Sequence, residues 1–217
     1  RSRSEAELQN LKSQLNPHFL FNTLNNIYSL IQLDPNRAQQ TVHDLSRLLR
    51  YVLYDSSQPT VPLKAEMDFL GNYIELMRIR LPRHVRLDVS LPENPSHTLV
   101  APLLFISLVE NAFKHGICPK EEGGVVRIRM IPLREKGLLC IRVLDNGVGI
   151  EPEQLQQLRT ALEQPAPRWE HIGIYNVAAR LRLLDARCRV VVRSRPGRGT
   201  AVILYLPLVE NEEEFEE

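Results

Sequence analysis

Leu139-Cys140-Ile141-Arg142-Val143-Leu144-Asp145-Asn146-Gly147-Val148-Gly149-Ile150 reads as a strand that ends in a carboxylate and then loosens into glycines. A carboxylate at a strand end can accept a hydrogen bond from an exocyclic amine. Glycines beside it let backbone approach a flat ring closely. Asp-Asn-Gly is equally ordinary turn chemistry, so the surrounding chain has to decide between a site and a turn.

Towards the C-terminus, helical patterns cover Pro152–Leu162 and Ile174–Leu184, and strands fit Val190–Arg193 and Val202–Leu206. Between those strands lies Arg195-Pro196-Gly197-Arg198-Gly199-Thr200, whose Gly-x-Gly can cradle a phosphate with backbone amides or form a plain hairpin. In the other direction come a strand at Val126–Met130 and a helix at Pro102–His115. Before them Val85, Leu87, Val89 and Leu91 alternate with Arg86, Asp88 and Ser90, the period of a half-buried strand. Strands mixed with helices, some joined by short turns, predict an α+β layer.

The first third has no such alternation. Leu8, Leu11 and Leu15, then Leu20, Leu24, Ile27 and Ile31, form a helical stripe. Asp34-Pro35 reads as an N-cap with proline at the first helical position, which turns the chain back on itself. Val42, Leu45, Leu49 and Val52 make a second stripe, broken at Ser56-Ser57-Gln58-Pro59. Met67, Leu70, Ile74 and Met77 make a third helix that stops at Leu81-Pro82. A long two-helix hairpin cannot bury its apolar faces alone. Pairing with a second copy gives a four-helix bundle; packing on the rest of the chain is the monomeric alternative. The expected layout is a helical domain over residues 1–82 and a mixed-sheet domain over 83–209. An acidic tail follows, 210–217, with six glutamates in eight residues, and is expected to be disordered.

Bulk composition excludes several functions. A net charge of +1 gives no field that would draw the chain to nucleic acid. Cys118, Cys140 and Cys188 are far apart and form no CxxC pair. They argue against a disulfide framework or a zinc site and fit a reducing compartment. No apolar run approaches the roughly 18 residues of a membrane span. The chain opens on Arg1 in the middle of a helical pattern, which suggests a cytoplasmic fragment of something longer.

Two further segments carry chemistry. In Asn16-Pro17-His18-Phe19-Leu20-Phe21-Asn22 a proline can kink the helix, while His18 and Asn22, four apart, share a face. An imidazole whose tautomer is fixed by a neighbour is a competent nucleophile near neutral pH; it can also be a satisfied histidine at a kink. In Ser107-Leu108-Val109-Glu110-Asn111-Ala112-Phe113-Lys114-His115-Gly116 the helical period puts Ser107, Asn111 and Lys114 on one face, with Gly116 as the C-terminal stop. An asparagine oxygen suits Mg²⁺ and a lysine one turn on suits phosphate. Any amphipathic helix with a polar outer face would look similar.

Taken together and in this order, the segments resemble a known family. Asn111, Asp145-x-Gly147-x-Gly149 and Gly197-x-Gly199-Thr200 are similar to the asparagine box and the two glycine boxes of the Bergerat-type ATP-binding fold shared by histidine kinases, gyrase and MutL. Pro17-His18-Phe19-Leu20-Phe21-Asn22 resembles the phosphoacceptor box of the LytS/YehU-type sensor histidine kinases. Gly173-Ile174-Tyr175-Asn176-Val177-Ala178-Ala179-Arg180-Leu181 resembles their segment before the final strands. The resemblance covers about Leu8 to Pro207.

It implies a dimeric helical bundle followed by a Bergerat-type α/β sandwich, with ATP and Mg²⁺ as cofactors. It implies that His18 is phosphorylated and hands its phosphoryl group to an aspartate of a response regulator. Asn111 would hold Mg²⁺, with Lys114 and His115 at the phosphate end. Asp145 would accept from the adenine amine, Gly147 and Gly149 would lie against the ring, and Thr200 would support Asp145 or a water. Gly197 and Gly199 would shape the wall, Gly173, Asn176 and Arg180 would complete the ATP-binding set, and Glu151–His171 would be a lid. Asn22 could orient His18, and Glu110 could act on it as a base. Membrane contact would come only through an N-terminal sensor region outside this sequence, and domain movement would occur near Pro82, Pro92 and Pro95.

Phe19 follows His18 where many histidine kinases of other families place an acidic residue, which leaves the base unidentified. Hydrolytic relatives place a glutamate four residues before the asparagine, where this chain has Ser107; transfer to His18 is favoured over ATP hydrolysis. His171 stands where the family has a glycine in the lid. The alternatives are an idle ATP-binding dimer that signals by conformation, and an ATPase or serine kinase on the same fold.

Overall fold

The computed structural model describes residues 17–54, 56, 58–82, 84–92, 97–119, 122–163 and 173–209. Leu8, Leu11, Leu15, Asn16, Pro95, the lid residues 164–172 with His171, and the acidic tail lie outside the described residues, as does the side chain of Asn176.

Helix α1 (Pro17–Leu33) and helix α2 (Pro35–Leu53) form the hairpin. Asp34 caps α2, its carboxylate accepting from the Arg37 amide at 3.0 Å, with Pro35 at the first turn. Phe19, Thr23 and Ile27 of α1 and Ala38, Leu45, Leu48, Tyr51 and Val52 of α2 are buried. On the other side of the hairpin Phe21, Leu24, Tyr28, Ile31 and Val42 are exposed.

Strand β1 (Val61–Pro62) leads into helix α3 (Leu63–Arg80), which ends where Leu81 turns extended before Pro82. β1 pairs antiparallel with β3 (Leu99–Val100), so the start of α3 is stitched to the segment that precedes helix α4 (Leu104–Asn111). The Leu63 amide adds a bond to the Thr98 carbonyl at 2.9 Å. Leu63, Phe69, Leu70, Tyr73 and Leu76 of α3 join one continuous apolar core that reaches from Phe19 in the hairpin to Leu204 in the sheet.

The main sheet has the order β2-β4-β5-β7-β6, from β2 (Arg86–Ser90), β4 (Val125–Leu133), β5 (Leu138–Asp145), β6 (Arg189–Arg195) and β7 (Gly199–Pro207). β2 and β4 are parallel and the other pairs are antiparallel. The register lines up Val89, Ile128, Val143, Val202 and Val192 across all five strands, on the face that helices α4, α5 (Pro152–Glu163) and α6 (Gly173–Leu184) cover. Two residues along, and so on the same face, the row reads Leu87, Val126, Asp145, Thr200 and Ser194. The apolar row thus turns polar on three adjacent strands. That is where the cavity lies.

Gly116 does not end its helix. α4 runs on into a π-helical turn, Ala112–Ile117, and the Cys118 amide bonds back to the Phe113 carbonyl at 2.7 Å. A Cβ on Gly116 would stand 2.5 Å from Asp145 Oδ1, so glycine is required there by close approach to the carboxylate and not by a helix stop.

Candidate functional site

A cavity of about 600 Å³ lies between the helix-covered face of the sheet and helices α4, α5 and α6, within the range of small-molecule sites. Val143, Asp145, Thr200 and Val202 form its floor. Leu108, Asn111, Ala112, His115 and Gly116 make one wall, and Gly149, Ile150, Gln154, Gln157 and Leu158 another. Ile174 and Tyr175 of α6 close the side. The chemistry of this lining is an apolar slot with one carboxylate and a threonine hydroxyl on its floor, the Asn111 amide and the His115 imidazole on one wall, and the amides of Gln154 and Gln157 on the other. A flat heterocycle with an exocyclic amine fits the slot, and burial has pushed the Tyr175 phenol above its ordinary range by desolvation.

Asp145 accepts from the Gly147 amide at 2.9 Å, a bond within its own turn that fixes the carboxylate's direction. Gly147 itself is not against the cavity. An added Cβ would stand 2.0 Å from the Gly116 carbonyl oxygen, so the glycine lets the turn after β5 touch the π-helical turn backbone to backbone. The Val148 amide bonds the same carbonyl at 3.2 Å. Gly149 lines the cavity, and its φ of 76° favours glycine. Gly199 packs on the Asp145 carbonyl, where a Cβ would stand at 2.0 Å. Gly197 sits in the β6–β7 turn outside the cavity lining, its amide bonded to the Val148 carbonyl at 2.7 Å.

Ser194, missed from sequence, ties these parts together. Its hydroxyl accepts from the Ile150 amide at 2.9 Å, donates to the Gly199 carbonyl at 2.8 Å and lies 2.8 Å from Thr200 Oγ1. A serine has one proton to give, so Thr200 is the donor in the last bond and keeps its lone pairs for other partners. The signal was present in sequence: Val190, Val192 and Ser194 share one strand face, and a hydroxyl continuing an apolar stripe asks for a reason.

The residues predicted for a phosphate end separate. His115 and Asn111 line the cavity, whereas Lys114 is exposed and outside its lining. The i→i+5 turn after Asn111 widens the helix and swings the face predicted from a regular 3.6-residue period. Arg180 is also elsewhere: its guanidinium donates to the Pro102 carbonyl at 2.5 Å, at the start of α4. Gly173 begins α6.

Mg²⁺ demands oxygen ligands but keeps several waters and binds through substrate phosphates. A single asparagine oxygen, Asn111, on the cavity wall fits that demand.

His18 is exposed on α1 with Asn22 one turn on, the amide nitrogen 3.0 Å from Nδ1 and 3.3 Å from Nε2. Next to it Phe19 is buried against Tyr73 of α3, ring centroids 4.8 Å apart. Tyr73 in turn donates to Glu110 Oε1 at 3.4 Å. Glu110 therefore faces α3 while its neighbour Asn111 faces the cavity, as 100° per residue requires. Burial raises the Glu110 carboxyl above its ordinary range, opposed by Tyr73 and by the Lys114 charge.

Comparison with known proteins identifies the family. Residues 6–85 match the family described as histidine kinase, and residues 102–210 match the histidine kinase-, DNA gyrase B- and HSP90-like ATPase family. The chain is 32% identical over 206 residues to an uncharacterized sensor-like histidine kinase of Staphylococcus epidermidis, covering 94% of this chain and 39% of that protein. It is 31% identical over 205 residues to the sensor protein kinase HptS of Staphylococcus aureus, with the same coverages. The chain thus spans about two-fifths of the length of these curated relatives. Among solved structures, the histidine kinase domain of a blue-light activated kinase from Erythrobacter litoralis aligns over 96% of both chains at 20% identity, with a TM-score of 0.47. Among the described residues no helix is long and apolar enough to cross a membrane.

Proposed function

The chain belongs to the histidine kinase family, with a LytS/YehU-type phosphoacceptor region followed by a GHKL-type ATPase domain, and from that premise we propose that it binds Mg-ATP and phosphorylates its own His18. The observation that carries the proposal is the polar patch of Asp145, Thr200 and Ser194 on an otherwise apolar sheet face, with Asn111 and His115 on the wall of the same cavity.

In this reading Asp145 accepts from the adenine amine, and the apolar walls of Val143, Ile150, Leu158 and Ile174 hold the ring. Asn111 would hold Mg²⁺, which would supply charge neutralisation at the phosphates. His115 lies at the phosphate end and Lys114 approaches only from outside. An imidazole nitrogen of His18 attacks the γ-phosphorus, the bond to the bridging oxygen breaks, ADP leaves, and the ring proton passes to a base. Glu110, which faces α3 against Tyr73, the ring that packs on Phe19 next to His18, would serve as that base. Phosphoryl transfer needs mainly positioning and charge neutralisation, so domain movement that brings His18 to the cavity is part of the mechanism. The phosphoryl group then goes to an aspartate on a response regulator. The exposed apolar side chains Phe21, Leu24, Tyr28 and Ile31 support pairing of two hairpins into a four-helix bundle. The chain spans about two-fifths of the relatives' length; a sensor and any membrane anchor would belong to the rest of such a protein, leaving these domains on the cytoplasmic side.

Mass spectrometry after incubation with Mg-ATP tests the proposal. One phosphate on a peptide containing His18 is expected. A chain that binds ATP and stays unmodified points to the idle dimer instead, and released phosphate without modification to an ATPase.

A further inference from the structure

Glu66 is fully buried in the middle of the apolar face of α3, one helical turn from Leu63 and Leu70. No step of the proposed mechanism uses it. Its carboxylate accepts from the Leu103 amide at 2.6 Å and the Leu104 amide at 3.0 Å, the first turn of the helix that carries Asn111. It also accepts from Tyr51 Oη of α2 at 2.5 Å. Arg180 of α6 reaches the same turn, donating to the Pro102 carbonyl, and its charge lies close enough to Glu66 to be felt electrostatically.

The backbone at this junction is strained. Leu103 is a buried leucine with φ 59° and ψ 28°, the left-handed region that a branched side chain rarely adopts. Such a conformation persists only where its surroundings over-determine it. Glu66 on one side and Arg180 on the other do so. Tyr51 also stacks on Phe69 of α3, ring centroids 4.6 Å apart, so its hydroxyl is held in place against the carboxylate.

We propose that Glu66 is a positioning residue for phosphoryl transfer. One carboxylate sets the start of the Asn111 helix and, through Tyr51, holds the hairpin that carries His18 in register with it. Arg180 ties the helix that follows the lid to the same turn. The acceptor hairpin and the helix that carries Asn111 meet at this one buried acceptor, and α6 joins them through Arg180 at the adjoining Pro102 carbonyl. This assignment rests on the kinase reading for its catalytic consequence, but its geometry does not.

The test is a double-mutant cycle with Tyr51→Phe and Glu66→Gln, reading the rate of His18 phosphorylation against ATP concentration. Tyr51→Phe keeps the ring stack and removes only the hydroxyl. It is expected to lower kcat about fivefold with the ATP KM within about twofold of the parent. Glu66→Gln should lower kcat and raise KM, and the double variant should be no slower than Glu66→Gln alone. A parent-like kcat in a folded Tyr51→Phe protein, or strictly additive losses in the double variant, overturns the proposal. Amide hydrogen exchange without nucleotide gives a second readout that needs no kinase activity. Leu103 and Leu104 amides should exchange at least tenfold faster in Glu66→Gln and measurably faster in Tyr51→Phe. If the parent forms no phosphohistidine, the kinase reading fails. Unchanged exchange in both variants sinks the role of Glu66 by itself.

Discussion

Replacing Gly147 with alanine should damage both stability and nucleotide binding, although Gly147 touches no part of the cavity. The added Cβ would stand 2.0 Å from the Gly116 carbonyl oxygen, 2.3 Å from its carbon and 2.5 Å from its Cα, all of them backbone atoms. No rotamer can move them aside. Ordinary contact begins near 3.4 Å, so the turn after β5 must retreat from the π-helical turn by more than an ångström. That retreat breaks the bond from the Val148 amide to the same oxygen. Overpacking of this kind costs about 1–3 kcal/mol and the lost hydrogen bond about 1 more, which sums to roughly 2–4 kcal/mol. Because Asp145 lies between the two turns and its carboxylate is close to Gly116, ATP affinity should fall at least about tenfold, a shift of roughly 1.4 kcal/mol. Urea unfolding followed by circular dichroism measures the first effect and calorimetric titration with ATP the second. Gly71 is the control: it is mid-helix with nothing within 4 Å of an added Cβ, and Gly71→Ala should gain about 0.5–1 kcal/mol. A Gly147→Ala protein within about 0.5 kcal/mol of the parent, binding ATP normally, would show that the two turns do not need this backbone contact.

Three other perturbations have defined outcomes. Asp145→Asn keeps the acceptor for the Gly147 amide but places an NH₂ on the cavity floor; ATP titration should show at least about a tenfold loss with the fold intact, since a donor then faces a donor. Burial raises the Glu66 carboxyl, against hydrogen bonds from Tyr51 and the Leu103 and Leu104 amides and beside the Arg180 charge. Folding therefore favours its protonated form, and the stability of the parent relative to Glu66→Gln should be greatest below the ordinary carboxylate range and decline as pH rises. Urea titrations at several pH values that showed the opposite slope would contradict this. Cys118 is exposed while Cys140 and Cys188 are buried, with Cys188 pushed up to about 11 chiefly by desolvation. A thiol reagent near neutral pH should label one cysteine quickly and all three only after unfolding.

The sequence was most legible where period and burial coincide. The alternation of Val85 to Leu91 and the heptad-like stripes of the hairpin each give an element by simple repetition, and Asp34-Pro35 marks a helix start by local chemistry alone. Asp145 could be placed at a strand end because the strand before it is plain. What escaped notice depends on contacts distant in sequence. Ser194 gains meaning only when β6 and β7 line up beside Asp145. Glu66 looks like one charge on a helix until residues thirty-seven and thirty-eight positions later supply its donors. The two-residue ladder of β1 and β3 is too short to leave a pattern. The π-helical turn after Asn111 breaks the period on which the placement of Lys114 relied, and the role of Gly116 could not be separated from a helix stop without seeing Asp145 against it.

The central claim is that this chain transfers phosphate from ATP to His18 through the cavity that Asn111 and Asp145 line. Incorporation of label from γ-labelled ATP with Mg²⁺ tests it most directly, comparing the parent with His18→Gln and Asn111→Ala. Acid-labile, alkali-stable label is expected on the parent and none on either variant. Label that survives in His18→Gln, or a parent that binds ATP and takes up none, would contradict it.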